Sequence, residues 1–314
     1  MILGAIVLFS TIEVVSKYLQ AGEGAAARVG SIQVAALRFM LGAVFLLPLL
    51  LARRQGKFLI EGVRKGALAM LLLGTFGVFL CFYLLHSGIE STSASTAAVI
   101  FSMNPVFTVL IASLALRERL GGYGWLGVGL GLAGAFIAVT GFNFPGLLSR
   151  DDFMGSILIL VAAVAWSGYT VYGKKYSQQY GALVVSFLSM AVGSVLFAMT
   201  LTIKSGWREM AGYNLATWAW LLYLGIITVG IGYILYFEGL RRVPASRGAS
   251  LFYLKPVLAL LIAHAALGEP ISFKLLLASV MVACGILLVT LSRETGKSEA
   301  ESQVEKGPGL QRAD

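Results

Sequence analysis

Charge is what this sequence has least of. Asp, Glu, Lys and Arg make up 12% of 314 residues, about half the share usual in soluble chains, while hydrophobic residues reach 58%. A water-soluble fold of this length has too little interior to hide so much apolar surface, so most side chains must be solvated by lipid. Cysteine is equally scarce. Cys81 and Cys284 both lie inside apolar runs and offer neither a disulfide framework nor a thiolate cage. The two histidines, His86 and His264, are too few and too far apart in sequence for a zinc or di-iron site, so no metal or other cofactor is expected. The net charge of +9 comes from only 24 Lys and Arg, set in short clusters between apolar runs. A nucleic-acid partner, which needs such charge along one face, is excluded.

What is present is length of apolar run. A membrane helix takes about 20 mostly apolar residues, and ten such runs follow one another: 2–20, 32–51, 66–86, 93–116, 122–141, 153–174, 182–203, 216–239, 245–267 and 272–291. The first begins at Met1 with neither a basic leader nor a small-residue cleavage site, as expected of a retained membrane helix. The polar stretch 293–314 reads as a disordered cytoplasmic tail. With the N-terminus inside, the inner loops and tail hold 16 Lys and Arg and the outer loops 5. This bias predicts a multi-pass protein of the inner (plasma) membrane with both termini cytoplasmic.

The chain also repeats itself. Shifted by 151 residues, segment 88–118 falls on 239–269 with 13 of 31 positions identical, among them Ala94/Ala245, Ser95/Ser246, Pro105/Pro256 and Glu118/Glu269. Gly42/Gly193 and Gly134/Gly285 keep the same offset. The expectation is an all-α polytopic membrane protein of ten transmembrane helices, built from two five-helix repeats at 1–141 and 142–292. Five is odd, so the second copy enters the membrane the other way up. Inverted-topology repeats are the plan of many secondary transporters, in which the two halves exchange conformations to alternate access.

At this point the chain resembles the EamA-type members of the drug/metabolite transporter superfamily. The matching stretches are "ALRFMLGAVFL" in the second run, "SASTAAVIFSMNPVFTVLIASLALRERL" in the fourth, "AWSGYTVYGKK" in the sixth and "LRRVPASRGASLFYLKPVLALLIAHAALGEPI" from the eighth to the tenth. The resemblance covers about residues 1–292. It implies a transporter, not an enzyme, carrying amino acids, other metabolites or drugs, often outward. It also marks Arg38 as the family's arginine of the second helix. In the first helix the family usually has an apolar or amide residue near position 13, and this chain has Glu13. The small multidrug branch of the superfamily carries a membrane-embedded Glu on its first helix.

Glu13, mid-membrane on the first helix, is costly when ionised and facing lipid, so it should face the bundle interior as a proton-coupling site or counter-charge. The alternative is an internal pair with Lys17 at i+4. Lys255 precedes Pro256 in the ninth run, and Asn104 precedes Pro105 in the fourth. Both prolines are expected to kink a helix and to mark a cavity floor, where Lys255 binds substrate or pairs with Glu13 or Glu238. Arg38 pairs with Glu13, binds an anionic substrate or snorkels to the outer interface. Glu238 and His86 fall near helix ends and suggest interfacial roles, and Glu118 and Glu269 are placed to stabilise the following helix's N-terminus. Trp166, Tyr169 and Tyr172 in the sixth run, with Tyr233 and Tyr236 in the eighth, line the cavity or pack the core. Gly127, Gly129, Gly131 and Gly134 allow close helix approach, in a monomer or a homodimer.

No nucleotide-binding loop is found, since Gly129-Leu130-Gly131 lies inside an apolar run. The leading expectation is a secondary active transporter that exports small metabolites by alternating access, coupled to protons through Glu13. The expected partners are thus a small-molecule substrate, protons and the lipid bilayer. An exchanger of anionic metabolites, using Lys255 and Arg38, is the second reading. An intramembrane enzyme stands last, because it needs clustered His or paired Asp at mid-membrane.

Overall fold

The computed structural model describes residues 1–116, 121–142, 151–235 and 251–305. Among them there is no β-strand, and nine helices are long and apolar enough to cross a membrane. These are α1 (Ile2–Ala21), α2 (Ser31–Ala52), α3 (Ala67–Ser91), α4 (Ala94–Ile111), α5 (Gly122–Thr140), α6 (Asp151–Tyr180), α7 (Ala182–Ile203), α8 (Leu215–Leu235) and, after the shorter α9 (Leu254–Leu267), α10 (Phe273–Ser292). The protein is a multi-pass membrane protein. Large apolar side chains such as Val44, Leu68, Phe136, Val195 and Phe273 stay exposed, as lipid allows and water would not.

Helix α10 continues beyond its apolar stretch to Glu305, where the sequence suggested a disordered tail. Residues 293–305 read RETGKSEAESQVE, with four Glu among them, so a helix can propagate through them once α10 has supplied the nucleus. Residues 306–314 lie outside the described part.

Several helices are interrupted. Helix α1 breaks at Thr11, whose hydroxyl lies 2.7 Å from the Leu8 carbonyl and 2.8 Å from the Tyr223 hydroxyl. Helix α4 breaks at Ser102–Met103 and restarts at Asn104. Pro105 therefore occupies the first turn of a new segment, where its missing N–H leaves no hydrogen bond unmade. Pro256 is likewise in the first turn of α9, after a 3-10 turn at Leu251–Tyr253. The expected kinks are thus restarts. In α3 and α8 the backbone widens into π-helix at Leu73–Leu80 and Tyr223–Ile231, and the 151-residue shift lays 73–80 on 224–231.

Close contacts follow the same shift with the halves exchanged. A Cβ on Gly42 would lie 2.5 Å from Val229, and one on Gly193 would lie 2.5 Å from Val78. One on Gly74 would meet Val192, and one on Gly225 would meet Leu41. Helices α5 and α10 meet through Gly127, Gly131 and Gly134 on one side and Gly285 on the other, close enough that a Cβ on Gly127 would lie 2.7 Å from the Gly285 carbonyl. This small-residue stripe packs within the chain.

Candidate functional site

The break at Thr11 puts Glu13 in the first turn of the second half of α1, and the restart at Leu254 puts Lys255 in the first turn of α9. Both point inward. Lys255 Nζ donates to Glu13 Oε1 at 2.8 Å, with the side chains 4% and 0% exposed. The ammonium also sits 5.0 Å from the Phe101 ring centre, a second favourable contact for a desolvated cation. Glu13 Oε2 has no hydrogen-bond partner among the described residues. Of the partners open to Glu13, Lys255 is therefore the one it takes. Lys17 instead donates to the carbonyls of Ile89 and Glu90 at 3.0 and 3.1 Å, capping the C-terminal end of α3, where a cation is favoured.

Arg38 on α2 is 1% exposed, so it does not snorkel. Its guanidinium carbon lies 5.2 Å from the Phe39 ring centre and 4.9 Å from that of Phe82. Glu13 and Tyr233 are among its electrostatic neighbours. Its Nε and Nη1 find no hydrogen-bond partner among the described residues, and neither does either ring nitrogen of His86. Helix α3 runs on to Ser91, which leaves His86 fully buried rather than at an interface. Gln20 donates to the His86 carbonyl at 3.2 Å and ties α1 to α3 beside the cluster.

Aromatic rings join these charges. Phe82 packs against Phe101 and Trp166, with centroids 6.3 and 5.4 Å apart, and Trp166 lies 6.4 Å from Tyr233. Tyr169 stacks on Trp166 at 5.1 Å, and its hydroxyl lies near Ser186 and Ser189. Tyr172 turns outward, 53% exposed. The Asn104 side chain donates to the Phe101 carbonyl at 3.0 Å across the α4 break, while its own carbonyl accepts from Ser167 on α6. Tyr236, Glu238 and Glu118 lie outside the described residues.

A cavity of about 390 Å³ opens where the C-terminal end of α2 (Leu46, Leu49, Arg53) meets the α6–α7 turn (Ser177, Gly181, Ala182, Leu183, Ser186). Its lining includes Tyr233 and Ile234 of α8, and Tyr233 is an electrostatic neighbour of Arg38. The other end of the bundle is tied. Glu269, beyond the end of α9, accepts from the backbone N–H groups of Ala94 and Ser95 at 2.7 and 2.9 Å and from the Ser95 hydroxyl. It therefore caps the N-terminus of α4, not that of the helix that follows it. Free N–H groups and the helix dipole both favour a carboxylate there.

The sequence matches the EamA-like transporter family over residues 1–140 and again over 153–291. The chain belongs to the EamA-like transporter family. An uncharacterized transporter of Clostridium kluyveri is 32% identical over 284 residues, covering 90% of this chain and 89% of that protein. The uncharacterized inner membrane transporter YedA of Escherichia coli is 27% identical, with 83% and 82% covered. The uncharacterized transporter YyaM of Bacillus subtilis is 25% identical, with 81% and 82% covered. A solved crystal structure 23% identical in sequence superposes with a TM-score of 0.64, over 92% of this chain and 96% of that one. That likeness is one of fold.

Proposed function

We propose that the protein is a secondary active transporter of the inner membrane, with both termini cytoplasmic. It exports small amphipathic metabolites, amino acids or related compounds, by alternating access between two inverted five-helix repeats of a ten-helix bundle. The observation that carries this reading is the buried Glu13–Lys255 pair beside the equally buried Arg38. Charges this deep cost too much to keep for packing alone, and in a membrane span they mark a substrate or ion path. The repeat reading is supported by contacts that recur with the halves exchanged, Gly42 on Val229 and Gly193 on Val78, and by the two stretches over which the family matches. Alternating access is supported by the asymmetry of the ends, one tied by Glu269 and the other holding the cavity.

Coupling to protons falls to Glu13. Its second oxygen has no hydrogen-bond partner among the described residues, and taking up a proton there would release Lys255. The test is uptake into proteoliposomes of a metabolite panel, with and without an imposed pH gradient. The reading expects a gradient-driven flux that Glu13→Gln abolishes. A flux that ignores the gradient and survives the substitution removes proton coupling, and no flux for any compound removes the carrier itself.

A further inference from the structure

We propose that Arg38 and His86 form the anion-binding half of the substrate site, and that the substrate is an amphipathic monocarboxylate. This rests on the carrier reading above and narrows its substrate class. Each of the two side chains is at least nine-tenths buried, and together they bring four nitrogen atoms without a hydrogen-bond partner among the described residues. A neutral imidazole donates from only one of its nitrogens, so three of the four are donors; a buried donor left unmade costs free energy comparable to a lost hydrogen bond, and together they call for a ligand that accepts. His86 is an electrostatic neighbour of Arg38, and Phe82 lies beside both, 4.9 Å from the guanidinium and 6.4 Å from the imidazole.

Charge fixes the sign of that ligand. Glu13 is ion-paired with Lys255 at 2.8 Å, so the cluster of Glu13, Lys255 and Arg38 carries a net charge of about +1, with no second acid in it among the described residues. A single carboxylate balances it, and its two oxygens suit the planar fork of a guanidinium. The rest of the ligand would lie against Phe82, Trp166 and Tyr233, whose rings pack in sequence. Tyr233 also lines the cavity, so an entering molecule meets the aromatic surface before the guanidinium. This arrangement selects an apolar or aromatic body with one anionic end.

The experiment uses the full chain, purified and reconstituted, with three probes of one shape: 3-phenylpropionate, its amide, and 2-phenylethylamine. Affinity is read by thermal shift, and transport by counterflow in proteoliposomes. The carboxylate should bind and exchange, and the amide and amine should bind at least tenfold more weakly. Arg38→Gln should weaken the carboxylate by about 10- to 100-fold, the loss of charged hydrogen bonds, and leave the amide unchanged. Arg38→Lys and His86→Gln, which keep the volume, should each fall between, and their elution from a sizing column reports folding apart from binding. Binding of the amine or amide as tight as the carboxylate overturns the proposal, as does a carboxylate affinity within twofold of wild type in Arg38→Gln. Binding of none of the three also overturns it. In each of these cases, flux of another metabolite would leave the carrier reading standing.

Discussion

Neutralising one member of the Glu13–Lys255 pair should do more harm than neutralising both. Glu13→Gln leaves an ammonium 4% exposed with no counter-charge, and removing one partner of a buried pair costs about 3–5 kcal/mol. The lower end fits here, because Gln keeps a carbonyl that can accept from Nζ and Phe101 remains 5.0 Å away. Lys255→Met removes the ion-pair partner of the carboxylate but leaves Arg38, an electrostatic neighbour, as its remaining counter-charge, so the lower end fits there too. The double substitution puts two uncharged side chains of similar size in the same space, where such exchanges range from neutral to about 4 kcal/mol stabilising. Two single costs of ~3 kcal/mol each and a double near zero put the coupling energy at ~6 kcal/mol, above the ~0.5–3 kcal/mol usual for residues in contact. Equilibrium unfolding in mixed micelles, followed by tryptophan fluorescence, would measure the cycle. Single variants within about 1 kcal/mol of wild type that add up in the double would refute the reasoning, because then water must reach the pair. Transport separates structure from mechanism. A double variant that regains stability and still fails to transport assigns the charges to the carrier cycle.

Two other outcomes follow from contacts elsewhere. Glu269→Gln weakens an anionic cap on Ala94 and Ser95, and caps are worth about 0.5–2 kcal/mol, so the population with that end open should rise about 2- to 30-fold. Ser16 is fully buried on the second half of α1, and on a Ser16→Cys background a membrane-impermeant thiol reagent should label faster, whereas an unchanged rate would mean that the cap does not hold the closed end. Gly285→Val drives a branched side chain into the Gly127 carbonyl, 2.7 Å from where the Cβ must sit. It should cost about 1–3 kcal/mol or more, while Gly129→Ala, with open space at its Cβ, should leave the unfolding midpoint unchanged.

Helix positions were legible because lipid demands long apolar runs, and such runs are conspicuous. The π segments were not, since 73–80 and 223–231 carry the same apolar residues an α-helix would. Arg38 looked close to water when counted from the end of its run. Yet Gln33, just over one turn earlier, donates to Glu209 and to the Gly206 carbonyl, so a loop 173 to 176 residues further along the chain covers that end. His86 was misjudged for a simpler reason, because α3 runs five residues past the end of the apolar run. The role of Glu269 had left a trace. Ala94, Ser95 and Glu118 recur as Ala245, Ser246 and Glu269, and identical groups in both copies hint that one copy's acid serves the other's helix. The pair of Lys255 with Glu13 was among the expected ones, since ionisable groups inside apolar runs need partners, but its choice over the alternatives was not legible across 242 residues.

That separation also has a consequence during biosynthesis. At roughly 5–20 residues added per second, Lys255 leaves the ribosome about 12–50 s after Glu13. Throughout that interval the first span must sit in or beside the bilayer with an acid that lacks its ion-pair partner, a burden of up to about 2.5–3.5 kcal/mol when ionised at the centre of a helix. Insertion of the opening helix is thus provisional until the ninth arrives, and a chain truncated before Lys255 would be a natural target for membrane quality control.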